Sequence, residues 1–125
     1  MLTPMLATDD PYQAAVAFVR AGWSLTYETP RDSGDPLACV ELAGAQVMLG
    51  TAAQEFLSLA SRPHKGAGVT FHVTVPAGQI REVFEAHLAH AEATTDLSMR
   101  PWGEEAFNTV LAGYRFLIAA DPAGS

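Results

Sequence analysis

The chain has 125 residues, 49% hydrophobic and 17% charged, enough apolar material for a buried core. Its net charge of −7 has the wrong sign for holding nucleic-acid phosphates, and its one cysteine, Cys39, leaves no internal disulfide. No apolar run approaches the roughly 20 residues of a membrane helix, and residues 1–10 lack the basic start of a signal peptide, so the expectation is a cytoplasmic protein with neither nucleic acid nor membrane as partner.

Leu2 to Thr8 reads as a first strand. Asp10 then caps a helix, with Pro11 at the first helical position and Gln13 where a capping box has its partner. The helix carries Ala14, Ala15, Phe18 and Val19 and stops at Gly22. Trp23 to Glu28 is a strand, and the Pro-, Gly- and Asp-rich stretch Thr29 to Pro36 a loop. Leu37 to Leu42 and Ala45 to Leu49 form a hairpin. Ala52 to Ser61 reads as a short helix and Arg62 to Gly68 as a loop, where the chain divides. Val69 to Val75 alternates as a strand does, and Ile80, Val83, Phe84, His87, Leu88 and Ala91 recur at helical spacing. Thr94 to Met99 is a strand, Arg100 to Gly103 a turn, and Ala106 to Ala119 a second hairpin.

The two hairpins nearly repeat each other. Val40 to Leu49 aligns with Thr109 to Ile118, each with an Ala-Gly turn in the middle. Each half thus reads strand, helix, three strands, with the helix as the crossover. A two-residue turn at Ala43-Gly44 pairs Leu42 with Ala45, Glu41 with Gln46 and Cys39 with Met48. Cys39, Glu41, Gln46 and Met48 then share a mixed face, and Val40, Leu42, Val47 and Leu49 an aliphatic one that packs on the helix. The second hairpin's mixed face carries Asn108, Val110, Arg115 and Leu117, and the Val69 strand adds Thr70, His72 and Thr74. Mixed faces with few charges suit a small organic ligand, so the halves are expected to enclose a semi-polar hollow, against the alternative that these residues meet water on an open sheet face.

Several residues stand out on those faces. Trp102, in a polar turn, is a candidate ligand anchor, against the alternative that it merely packs the turn. Trp23 reads as core or interface. His72 faces the hollow, as a hydrogen-bonding group or a general base. Cys39 and Met48 line the same side, and Gln46 and Asn108 are placed to orient a ligand. Glu41 and Arg115 occupy matched positions near the hairpin ends. His87 and His90 have a spacing that allows chelation, but His87 lies on the apolar helix face and no third ligand is evident.

The Asp-capped helix ending in Ala21-Gly22-Trp23, the Val47-Met48-Leu49 strand, and the Arg100-Pro101-Trp102-Gly103 turn followed by Phe107 and Gly113-Tyr114 resemble the vicinal oxygen chelate superfamily, which includes glyoxalases, bleomycin-resistance proteins and extradiol dioxygenases. The Thr3-Pro4-Met5-Leu6 opening is similar to the bleomycin-resistance branch, whereas Leu111-Ala112-Gly113 departs from the usual Asp-Pro-x-Gly turn. The resemblance covers nearly the whole chain. It implies an α+β fold of two βαβββ modules (about 1–61 and 66–120) forming a cup-shaped mixed sheet in a homodimer. It also implies divalent-metal positions at about Thr3, about Gly68, Met48 and Leu117, a set without suitable donors, so no metal and no other cofactor is expected. The resulting expectation is a metal-free protein that sequesters or carries a planar, possibly cationic, antibiotic-like ligand at a dimer interface, through Trp102, His72, Cys39, Met48, Gln46, Asn108 and Arg115. The alternative is a metal-dependent lyase, isomerase or dioxygenase of the glyoxalase type.

Overall fold

A computed structural model describes residues 2–51 and 66–122; the expected Ala52–Ser61 helix and most of the connector after it lie outside the described residues. The first run comprises β1 (Met5–Thr8), α1 (Pro11–Arg20), β2 (Ser24–Glu28), β3 (Leu37–Leu42) and β4 (Ala45–Thr51). The second comprises β5 (Thr70–Pro76), a 3₁₀ turn at Ala77–Gln79, α2 (Ile80–His90), β6 (Ala93–Thr94), β7 (Ser98–Met99), β8 (Glu105–Leu111) and β9 (Tyr114–Asp121). Each run makes its own mixed sheet. The first has order β1-β4-β3-β2; the second has order β5-β9-β8-β6, with β7 also on β8. β1 and β4 are parallel, as are β5 and β9, so each helix is the crossover between a parallel edge strand and its sheet.

Local chemistry explains the elements. Asp10 has an extended backbone and its carboxylate accepts the N–H groups of Tyr12 at 3.0 Å and Gln13 at 3.4 Å, while Pro11 fills the first helical position. Both hairpins turn on Ala-Gly pairs in the left-handed region: φ is +51° and +89° at Ala43 and Gly44, and +53° and +83° at Ala112 and Gly113. That is the turn whose twist matches the strands it joins. It fixes the register anticipated from the sequence, Cys39 opposite Met48 and Glu41 opposite Gln46.

The expected strand Thr94–Met99 is instead two short pieces. Thr95 interrupts it: its hydroxyl accepts the Asn108 N–H at 2.9 Å, while its own N–H donates to the Asn108 carbonyl at 2.9 Å. A side chain thereby takes the place of a ladder bond.

The aliphatic faces of both sheets and both helices share one core. Phe18 of α1 meets Trp23 edge-on at 5.0 Å and Phe116 of β9 at 5.7 Å, and Trp23 meets Phe116 at 5.4 Å. Phe18 and Phe116 are fully buried. The Trp23 indole N–H donates to His87 Nε2 at 2.9 Å, and the Tyr114 hydroxyl donates to the Ala7 carbonyl at 2.6 Å. Gly66 lies so close to the second hairpin that a Cβ there would sit 2.8 Å from the Gly113 carbonyl oxygen. The two runs are therefore joined through their aliphatic sides, and each leaves its mixed face open. Met5 is 61% exposed and Tyr27 54% on the first. No helix among the described residues is long and apolar enough to cross a membrane.

Candidate ligand-binding site

The ladder of the second sheet sets its open face in rows. Thr74, Ala119, Ala106 and Ser98 form one. His72, Leu117 and Asn108 form the next, and Thr70, Arg115, Val110 and Ala93 the third. Ala106 and Ala119 are fully buried although their row belongs to the open face. The turn before β8 is closed by hydrogen bonds: Arg100 N–H donates to the Glu104 carbonyl at 2.7 Å and Gly103 N–H to the Arg100 carbonyl at 2.9 Å.

That turn delivers Trp102 and Glu104 to His72. Glu104 Oε1 accepts the Trp102 indole N–H at 2.7 Å and lies 3.2 Å from His72 Nε2. The indole hydrogen bond, then the histidine hydrogen bond, lower the Glu104 pKa, against desolvation and the like charge of Asp121. Glu104 is therefore an anion at neutral pH. Trp102 remains 61% exposed, its ring held by its nitrogen. Sequence reasoning singled out Trp102 and His72 but missed Glu104, whose trace is the Trp102-Gly103-Glu104 spacing.

The other anticipated residues separate into groups. Gln46 joins His72 at a hollow of about 300 Å³ between the two runs, also lined by Thr3, Phe71 and Phe116. Asn108 and Arg115 share another of about 330 Å³ with Thr70 and Thr95. Cys39 and Met48 lie opposite each other on the first sheet, beside Tyr27 and Met5, and line neither hollow. Burial pushes the Cys39 thiol up, which disfavours the thiolate a nucleophile needs. His87 is fully buried; Nδ1 donates to the Val83 carbonyl at 2.7 Å and Nε2 accepts from Trp23, so neither nitrogen is left for a metal. Trp23 is core. Glu41 and Arg115 form no ion pair with each other.

No family profile and no curated protein sequence matches the chain. Solved structures do. A glyoxalase-related enzyme from Fulvimarina pelagi superposes with a TM-score of 0.73 at 16% identity, covering 100% of this chain and 95% of its own. A bleomycin-binding protein complexed with bleomycin gives a TM-score of 0.64 at 13% identity, over 97% and 98%. A mutant of the fosfomycin resistance protein FosX from Listeria monocytogenes, complexed with Mn(II) and a dihydroxypropylphosphonic acid, gives 0.69 at 12%, over 98% and 92%. The chain has the vicinal oxygen chelate fold.

The register shows what surrounds the metal positions implied by the resemblance. Thr3 and Gly68 precede their strands, and the residues beside Met48 and Leu117 are Met5 and His72. Among Met5, Met48, His72 and Leu117 only His72 offers a nitrogen or oxygen donor; two thioethers and an alkyl group do not suit a hard or borderline divalent ion. Nor do three His, Cys, Asp or Glu side chains converge as a metal site among the described residues. These residues do not fit the metal of the vicinal oxygen chelate enzymes.

Proposed function

We propose that the chain is a metal-free small-molecule binding protein that sequesters or carries a planar ligand. The observation that carries this reading is Trp102, an exposed indole held by its nitrogen on Glu104. A ring stacked on such an indole contributes about 0.5–1.5 kcal/mol beyond area burial. The ionised Glu104 beneath it favours a ligand with a cationic group near the ring. The bleomycin-binding neighbour supports ligand capture on this fold; the Mn(II)-bound FosX neighbour supports the metal-enzyme alternative, against which the donor set speaks.

The proposal includes a homodimer. The first sheet's open face presents Met5, Tyr27, Cys39 and Met48, an apolar surface that a second copy would set opposite Trp102 to close a cleft. Sedimentation equilibrium should then return about twice 13.3 kDa. Calorimetric titration of chelator-treated protein with bleomycin and other planar drugs tests the binding. Saturable binding near one ligand per chain, without product formation, is expected. Flat titrations across the panel, or turnover that returns only with added metal, would defeat it.

A further inference from the structure

The hollow at the far end of the second sheet's open face has a chemistry of its own. It is about 330 Å³ in volume and is lined by Thr70, Asn108, Thr95 and Arg115 together with small and aliphatic groups. In a chain with 14 acidic and 7 basic residues, no carboxylate among the described residues lines it. Arg115 is exposed and has no hydrogen bond or ion pair among the described residues, and neither the Thr70 hydroxyl nor the Asn108 side-chain amide has a partner there. The neighbouring polar groups, by contrast, are committed. The Thr94 and Thr109 hydroxyls bond each other at 2.9 Å and also reach the carbonyls of His87 and Ala93. The Thr95 hydroxyl is held by the Asn108 N–H. The floor is thus built, while three donors are left over.

We propose that Arg115, Thr70 and Asn108 form a subsite for an acidic group of the ligand, a carboxylate or a phosphate. A guanidinium presents two parallel N–H donors that match two oxygens of either group. Thr70 is its ladder partner on β5, and Asn108 lies on the adjacent strand one row away, so hydroxyl and amide donors flank the guanidinium. The subsite lies one row, about 7 Å of strand, from His72 and the Glu104 carboxylate. A ligand whose ring stacks on Trp102 places an acidic substituent over Leu117 and into this hollow. The bound class is then an aromatic acid or an aromatic zwitterion, its cationic part toward Glu104. The extension to a whole ligand rests on the binding function proposed above; the oxyanion subsite does not.

The test uses the whole chain with matched probes: 2-naphthoate, 2-naphthyl phosphate and the uncharged 2-naphthamide, titrated into wild type, Arg115→Gln, Arg115→Lys and Trp102→Ala. Inorganic phosphate is titrated separately, followed by NMR at the Arg115 Nε–H. The two acids are expected to bind wild type at least tenfold tighter than the amide. R115Q removes that preference, R115K restores part of it, and W102A weakens acids and amide alike. Arg115 is exposed, so R115Q leaves the melting temperature unchanged. A saturable phosphate shift at Arg115, even where no naphthyl probe binds, upholds the oxyanion subsite while the stacking reading fails. Equal affinity for acids and amide, or an acid preference that survives R115Q, overturns it, as does the absence of both an acid preference and a saturable phosphate shift.

Discussion

The two open sheet faces descend from the same βαβββ plan and differ in what they offer a ligand. The first presents Met5, Tyr27, Cys39 and Met48: thioethers, a thiol and a phenol, with no hydrogen-bonded array among them in the described residues. The second presents a Trp102–Glu104–His72 array at one end and Arg115 with Asn108 and Thr70 at the other. Matched positions make the contrast plain. Met5 stands beside Met48 where His72 stands beside Leu117, and Gln46 lies opposite Glu41 where Arg115 lies opposite Val110. The backbone plan and the aliphatic core recur in both runs. On the binding function proposed above, recognition falls to the second face and covering to the first.

The comparison breaks most severely if the shared core is removed. Phe116→Ala empties the contact between the two runs and should cost about 3–5 kcal/mol, lowering the urea midpoint for both runs together. Separate transitions for the two would show that they do not share one core.

A second test uses pH. Burial depresses the His87 pKa below its ordinary value, and Nε2 accepts the Trp23 proton only while the imidazole is neutral. The folded state binds the histidine proton less readily than the unfolded state. Stability is therefore fully present above about pH 6.5 and declines as pH falls toward the depressed value. Among the described residues, the groups shown against the ring are Trp23, Phe107 and the Val83 carbonyl, none of them charged. Denaturation from pH 8 to pH 5.5 should show the decline in wild type and a flatter profile in His87→Gln; equal slopes would remove the joint from the account.

A smaller effect sharpens the second face. Glu104→Gln keeps an acceptor for the Trp102 indole but removes the charge. It should weaken a cationic planar ligand about threefold to tenfold while leaving its neutral analogue within twofold, measured by calorimetry. Equal losses for both would mean that the carboxylate only positions the ring. The smallest effect belongs to the turns. Ala43 is exposed at φ +51°, a conformation asparagine tolerates better than alanine, so Ala43→Asn should raise stability by about 0.5 kcal/mol without touching binding.

What the sequence disclosed followed from short range. The Ala43-Gly44 and Ala112-Gly113 turns dictate two-residue hairpins, and these dictate which side chain faces which way. Asp10 and Pro11 announce α1. The contacts that define the site and the core were hidden because they bridge long stretches of chain. Trp23 meets His87 across 64 residues and His72 meets Glu104 across 32, and no local pattern encodes either. The parallel partners Met5–Met48 and His72–Leu117 were hidden for a related reason. A parallel partner is set by a crossover helix, whose length leaves the register open where a two-residue turn closes it. The break at Thr95 depends on a hydroxyl substituting for the ladder, which strand periodicity does not reveal.

If the second open face carries the binding energy without a metal, a pair of dissociation constants shows it: one planar ligand in the presence of chelator, with Trp102→Ala and with Tyr27→Ala, each relative to wild type. The expected result is a loss of tenfold or more for W102A and less than threefold for Y27A. A larger loss for Y27A, or affinity that appears only after a divalent ion is restored, would contradict it.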